Sequence, residues 1–503
     1  MIAPKDSYSR VATILEMALV AVGAAGIATW FVLALVHLGD RYMVSHVQGI
    51  WMALARYASE GTLYPPPSDG VRFGGTRWMP LPILMNAGMS RMTGEYLMSG
   101  KTVAIVLFAA LLVLVFVALR QMRCPWPLAL ALTGLLPATD TGMLVGSTIG
   151  GDVPSVVLQV SALVTVTAAV GRNRDGWMIA AGVLTGLATC SKLTGVWAAL
   201  AVVTWLGVRR DWRCLGWFVA ACGSTIALTL GVVEWASQGR FLTTFLMLTF
   251  AGTGGPVGWI RAPKQLILFA ITYAAATWIL APFALLGVVQ ARRSSTPTAY
   301  THALGWCLLL TLAIFTDMGS GLNHLLDLAV LTVVTVGYLG SSLPQDRLGA
   351  VSLSTALSLA IIWAGATSVG GFIPDLREAV ATVRTGRALP KYTPRPLANV
   401  VAPGDTLLAE DPSVPVLLGQ MPIVLDPFML RRLDELRPET VDVLVARIKR
   451  KEFDHVVMIN PLDEDDFWWQ YYHFGLRVVR ALRAAYVFVG KVDGYYVYQP
   501  SHS

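Results

Sequence analysis

Of the 503 residues, 55% are apolar and 14% charged; the mean hydropathy is +0.60 and the formal net charge +7. A soluble domain is roughly a quarter charged, so an ordinary cytosolic globule, a disordered chain and a fibrous protein are excluded. The apolar residues gather into runs close to the roughly 20 residues that cross a bilayer, the mark of a multi-pass membrane protein. The five cysteines lie in or beside these runs without CxxC spacing, so neither a disulfide framework nor a zinc site is indicated.

Eleven spans are expected, at 13–37, 102–119, 127–136, 153–170, 177–189, 193–208, 215–235, 265–289, 302–315, 324–339 and 351–370. With the N-terminus in the cytoplasm, every inward loop is basic: Lys5 and Arg10, Arg120 and Arg123, Arg172 and Arg174, Arg209, Arg210 and Arg213, Arg292 and Arg293, and Arg347. That distribution follows the positive-inside rule and accounts for the net charge better than a nucleic-acid partner does. The first apolar run lacks a cleavage-site pattern and is too long for a signal-peptide core, so it reads as a retained helix. The expected organisation is a transmembrane domain over 1–371, with a long first outward loop at 38–100, and an extracytoplasmic α/β domain over 372–503. The protein would sit in the plasma or inner membrane.

Within the first outward loop, Val44, Val47, Trp51, Leu54 and Ala58 keep helical spacing, as do Leu81, Leu84, Met85, Met89 and Met92. These are two amphipathic helices, suited either to the outer headgroup region or to covering the tops of the spans. Between them Tyr64-Pro-Pro-Pro67 and Gly74-Gly75 interrupt any helix. In the tail, short strands are expected at 406–409, 423–425, 455–459, 486–489 and 495–498, the last two joined across Asp493-Gly494 as a hairpin. Helices are expected at 438–452 and 463–485.

Charged side chains beside spans are costly and are functional candidates. Asp40 follows the first span and Asp152 opens the fourth, so the topology brings two distant carboxylates to the outer face. Each has a plainer reading as a solvated helix-end residue, Asp152 as a favourable N-terminal charge. Lys192 sits in the turn between the fifth and sixth spans, placed either to snorkel or to pair with a lipid phosphate. Arg240, Arg261 and Lys264 occupy the next outward loop, which is rich in glycine (Gly252, Gly254, Gly255, Gly258) and suits an anionic headgroup. Asn323, His324 and Asp327 lie at the start of the tenth span; His324 and Asp327 share a helical face, and no third ligand at matching spacing defines a metal site. In the tail, Asp463 to Asp466 precede the aromatic run from Phe467 to Phe474, read as an acidic helix start and a packed aromatic face rather than a sugar-stacking surface. Phosphate loops, dinucleotide fingerprints, HExxH and GxSxG are absent.

At these residues the chain resembles the GT-C superfamily of integral-membrane glycosyltransferases, in particular bacterial relatives of protein O-mannosyltransferases and lipid A aminoarabinose transferases. The resemblance rests on an Asp just after span one, Glu60-Gly-Thr-Leu-Tyr64 with Trp78-Met-Pro-Leu81, and Gly151-Asp152-Val-Pro154. Ala181 to Lys192 and Gly321-Leu-Asn-His-Leu-Leu-Asp327-Leu continue it, the latter like the family's Asn-Tyr-x-x-Glu-Leu element. It ends in an outward tail with Leu408-Ala-Glu-Asp411, Leu418-Gly-Gln-Met-Pro422 and Asp426-Pro-Phe428.

The resemblance implies a polyprenyl-monophosphate sugar donor and an acceptor hydroxyl arriving from outside, on a glycan, lipid or protein. The expected roles are Asp40 as general base, Asp152 sharing that role or orienting the acceptor, and Lys192, Arg240, Arg261 and Lys264 on the donor phosphate. His324 and Asp327 would contact sugar or acceptor. A single displacement would invert the anomeric centre. Asp40 is followed by Arg41 and Tyr42 where relatives often carry a second acidic residue, so a divalent metal can be accommodated but is not required. Two other classes stay open. A transporter or lipid flippase would call for inverted repeats and midplane charges, which the sequence lacks; a non-catalytic envelope-assembly subunit would be told apart by whether purified protein transfers sugar.

Overall fold

A computed structural model of the chain describes residues 5–169, 174–249, 255–293, 299–317, 319–343, 348–386 and 395–501. Arg172, Gly252, Gly254 and Arg347 from the loops above lie outside these residues.

The chain begins with α1 (Lys5–Val36), then α2 (His46–Ser59) and α3 (Pro80–Thr93) in the first loop, and α4 (Tyr96–Gln121). It continues through α5 (Trp126–Leu135), α6 (Asp140–Ser147), α7 (Asp152–Ala168), α8 (Arg174–Ser191), α9 (Trp197–Val208), α10 (Trp212–Ala236) and α11 (Arg240–Thr249). Next come α12 (Gly255–Tyr273), α13 (Ala275–Arg293), α14 (Ala299–Ile314), α15 (Leu325–Ser342), α16 (Leu348–Gly371) and α17 (Ile373–Thr385). Among the described residues six helices are long and apolar enough to cross a membrane, or seven if α5 and α6, bent by 76°, form one span. Every expected span has its helix. The eighth, expected as one run, is divided at Ala274 into α12 and α13, because α12 starts ten residues before the sequence pattern placed the span.

Burial orders the bundle. Of the apolar window of α15, 72% is buried inside the protein, against 11% for α10, so α15 is central and α10 faces lipid. Without a hydrophobic drive between helices in lipid, close backbone approach has to hold the spans together. Gly23 and Gly26 of α1 provide it against Gly134 of α5: a Cβ at Gly134 would overlap the Gly23 carbonyl, and one at Gly26 the Gly134 carbonyl.

The first-loop helices behave differently from each other. A capping box of Ser45 and Gln48 starts α2. Its residues from Gln48 to Ala55 are all buried, as is Tyr57, so α2 is an interior helix of the outer layer and not a surface one. In α3 the buried side is Pro82, Ile83, Asn86, Ala87 and Ser90, while Leu84 and Met92 are exposed. Of the face formed by Leu81, Leu84, Met85, Met89 and Met92, Leu84 and Met92 are exposed and the others half-buried, as the headgroup reading of this helix would have it.

The tail holds α18 (Arg395–Ala398), β1 (Leu407–Ala409), α19 (Ser413–Leu417), α20 (Pro427–Leu436), α21 (Pro438–Lys449), β2 (His455–Met458), α22 (Asp466–Tyr471), α23 (Leu476–Ala485), β3 (Tyr486–Val492) and β4 (Tyr495–Pro500). The sheet order is β1-β2-β4-β3, with β1 parallel to β2 and the other pairs antiparallel. Asp493 and Gly494, at φ 53° and 84°, make the expected hairpin turn.

Two tail expectations are corrected. The 463–485 helix is two helices, because Phe474 and Gly475 take φ of 62° and 86° between them. The segment 423–425 does not join the sheet; Val424 pairs in parallel with Phe73 of the first loop, with Phe73 N–H donating to the Ile423 carbonyl at 2.7 Å and Leu425 N–H to the Phe73 carbonyl at 2.9 Å. The first loop and the tail are thereby one layer on the end of the bundle. Helix α17, just past the expected boundary at 371, packs on α1 and α16 and continues the bundle.

Candidate active site

The end of α1 turns through residues 37–42, and its carbonyls lack helical partners, as at every helix C-terminus. Asp40 is buried there. Its Oδ2 lies 2.7 Å from His37 Nδ1 and its Oδ1 accepts from Tyr42 N–H at 2.8 Å. The His37 ring stacks on Tyr42 with centroids 4.2 Å apart. Beneath the turn is Lys101 of α4, 1% exposed, donating to the carbonyls of His37, Asp40 and Tyr42 at 2.7, 2.7 and 3.2 Å. Its Nζ is 4.0 Å from Asp40 Oδ1.

A second cluster forms where α7, α8, α9 and α15 meet. Lys192, just past α8, holds two carboxylates, Asp152 Oδ1 at 2.6 Å and Asp327 Oδ2 at 3.6 Å. Asn323 Nδ2 donates to both oxygens of Asp152, at 3.1 and 3.0 Å. Trp197 Nε1 donates to Asp327 Oδ1 at 2.6 Å, and Gln159 Nε2 reaches the same oxygen at 3.4 Å. Buried polar groups need such partners, and here one cation is shared by two carboxyl groups. His324 completes the wall; its buried Nδ1 has no hydrogen-bond partner among the described residues. Helix α2, which follows the Asp40 turn in the chain, packs against the segment that leads into the second cluster. Its Gln48 Nε2 donates to Thr148 Oγ1 at 3.5 Å, and its Trp51 lies where a Cβ on Gly151 would be only 3.1 Å away.

The four residues expected at a donor phosphate are thus not gathered in one place. Lys192 is committed to the carboxylates. Arg240 Nε donates to the Tyr64 carbonyl at 2.8 Å and Nη2 to that of Leu63 at 3.4 Å, bracing the proline-rich turn. Arg261 and Lys264 stand on α12, not in a loop, and both are exposed. The buried line Gly258, Ala262 and Leu266 packs α12 toward Thr316, Phe315 and Leu325, which sets Arg261 beside the packed edge. Lys264, three residues on and about 60° round the helix from Arg261, shares its exposed side.

The tail closes over this face through Arg41. Its guanidinium lies 3.4 Å from both Asp411 Oδ2 and Asp493 Oδ2 and bonds the Tyr495 hydroxyl, which itself donates to Asp411 at 2.6 Å. Burial pushes the Asp411 carboxyl above its ordinary range, and Arg41 pulls it back. On the other side Arg77 Nη1 donates to Asp317 Oδ2 at 3.0 Å and stacks over Phe428 of α20.

Sequence reasoning missed Lys101, Gln159, Trp197 and the clamp role of Arg41. Asp152, Ser155 and Gln159 make a polar stripe at i, i+3 and i+7 of an otherwise apolar span, a signal that was readable. Lys101 reads as an ordinary span-end lysine; only the packing of α4 under α1 gives it three carbonyls. Among the described residues no three His, Cys, Asp or Glu are grouped to hold a metal ion.

A membrane bundle with a long first loop folded beneath a small α/β domain, and carboxylates collected at that face, is an ArnT-like fold. ArnT from Cupriavidus metallidurans bound to undecaprenyl phosphate superposes with a TM-score of 0.61 at 14% identity, over 96% of this chain and 98% of that one. Its apo state gives 0.57 at 14%, over 95% and 97%. The Archaeoglobus fulgidus oligosaccharyltransferase in complex with Zn and sulfate gives 0.53 at 13%, over 95% of this chain and 73% of that one. No protein-family model and no curated protein matches the sequence.

Proposed function

We propose that the protein is a glycosyltransferase that moves a sugar from a polyprenyl-monophosphate donor to an acceptor hydroxyl at the face carrying the α/β domain. The observation that carries this is the Asp40 carboxylate, held 2.7 Å from the His37 imidazole at that face, in a fold shared with ArnT bound to undecaprenyl phosphate. The face is read as extracytoplasmic and the N-terminus as cytoplasmic, since Arg120, Arg123, Arg209, Arg210, Arg213, Arg292 and Arg293 fall at the opposite ends of their helices.

In this mechanism Asp40 takes the proton of the acceptor hydroxyl as that oxygen bonds to the anomeric carbon. The bond from the anomeric carbon to the phosphate oxygen breaks in the same displacement, inverting the centre, and polyprenyl phosphate leaves with one more negative charge. Cations at a low-dielectric face stabilise that charge. Arg261 and Lys264 are assigned to it, because Lys192 and Arg240 have partners within the protein. Asp152 and Asp327, fixed by Lys192, with His324 form the wall that orients sugar and acceptor.

The test is purified protein, a panel of undecaprenyl-phosphate sugars and detergent-extracted envelope glycans and lipids as acceptors. Asp40→Asn should fold and bind donor yet lose turnover by about 10²- to 10⁴-fold, the usual worth of a general base; near-parental turnover removes Asp40 from the chemistry. Arg261→Ala with Lys264→Ala should weaken undecaprenyl-phosphate binding in a titration, and unchanged affinity would leave the phosphate without these partners.

A further inference from the structure

The cation nearest the proposed base is not one a substrate can reach. Lys101 is buried inside the bundle, and an ammonium has three donors. All three are directed at one turn: the carbonyls of His37, Asp40 and Tyr42. Burying an unpaired charge is prohibitively expensive. Here the C-terminal end of α1 carries partial negative charge, and the Asp40 carboxylate stands 4.0 Å away. The lysine and the turn therefore require each other.

We propose that Lys101 is a positioning residue for Asp40, acting with His37 to fix the turn and the rotamer of the carboxylate for the arriving acceptor. This rests on the reading of Asp40 as the base. The geometry gives Lys101 that task because it touches the backbone on both sides of Asp40 while His37 and Tyr42 N–H take one carboxylate oxygen each. An ionised carboxylate offers about four lone-pair sites, so both oxygens keep a direction open for an incoming hydroxyl. A turn without its ammonium would let the chain between residues 37 and 42 adopt other conformations and would remove the nearest positive charge from the base.

Three variants of the full-length protein separate this from a merely structural role. Lys101→Met removes the donors and the charge at similar length, Lys101→Gln retains two donors without charge, and Lys101→Arg retains both. Lys101→Met should lower kcat by about 100-fold, within the range expected for a disabled general base, while undecaprenyl-phosphate binding stays near parental. Lys101→Arg should recover most of the loss. In the Asp40→Asn background Lys101→Met should cost nothing further, since effects that run through one group do not add. A multiplicative loss in that double variant, or parental kcat in Lys101→Met, overturns the proposal.

If Lys101→Met does not accumulate as folded protein, Lys101→Gln carries the same comparisons. Carbodiimide labelling of Asp40, read by mass spectrometry, supplies a readout independent of turnover: labelling should rise several-fold in the uncharged variants, and unchanged labelling would sink the idea. Active Asp40→Asn overturns the base assignment itself. Inactive Asp40→Asn with active Lys101→Met overturns only the role of the lysine.

Discussion

At the scale of single residues, charges are few near the membrane, and the buried ones described above stand in pairs or triads. Lys192 is the clearest case. A lysine between two spans reads equally well as a snorkelling side chain or a phosphate ligand, and the structure spends it on Asp152 and Asp327. Removing one partner of a buried pair leaves the other uncompensated, at about 3–5 kcal/mol. Lys192→Met should therefore lower the thermal stability of the detergent-solubilised protein markedly, and adding Asp152→Asn should restore part of it. A variant as stable as the parent would show that the carboxylates do not need this cation. The residues Asp40, Asp152, His324 and Asp327 were legible in the sequence because a polar side chain beside an apolar run is conspicuous. Lys101 was not, since its partners are backbone carbonyls, which carry no sequence signature.

At the scale of elements, hydrophobic periodicity located the spans because a bilayer demands about 20 apolar residues whatever the fold. It did not show how they pack. The crossing of α1 and α5 depends on three glycines at one point, with no room for a side chain at Gly134. Gly134→Val should push α5 off α1 and displace the bent α5–α6 pair that carries the chain to Asp152. The expected result is loss of monodisperse protein on size exclusion, with Gly207→Val, where a Cβ meets nothing within 4 Å, as a tolerated control. The orientation of α3 stayed open for a related reason. In a soluble protein the apolar face is the buried one, but at a membrane surface lipid can take it, and the sequence pattern is the same in both.

At the scale of the whole molecule, the first loop and the tail operate as one cap. Arg41, adjacent to Asp40, is held by Asp411, Asp493 and Tyr495. Nearby, His46 of α2 meets His473 edge to face at 4.5 Å, and His473 Nδ1 is 2.6 Å from the fully buried Glu410. Burial, and secondarily His473, holds His46 well below the ordinary imidazole range. The docked cap thus keeps His46 neutral. Below about pH 6.5, the undocked state takes up a proton that the docked state refuses, so cap stability should fall as pH drops through that range. Limited proteolysis across pH 5–8 should show the tail released at the acid end, and His46→Gln should flatten the profile; equal protection at both ends would rule out this linkage.

What the sequence determined alone was whatever the solvent enforces: a multi-pass bundle, the number and place of its apolar runs, the α/β character of the tail, and the polar residues that could not be explained as lipid-facing. Each follows from local composition and a short-range period, because hydrophobic burial and backbone hydrogen bonding act at every residue. The tertiary structure alone decided which cation serves which anion. Lys101 met the Asp40 turn, Lys192 met two carboxylates, and Arg41 met the tail only when segments 61, 40 or 135 residues apart and more were folded together. Pairing of charges depends on distances of 3–4 Å in a low-dielectric interior, and no periodicity in the chain encodes those distances.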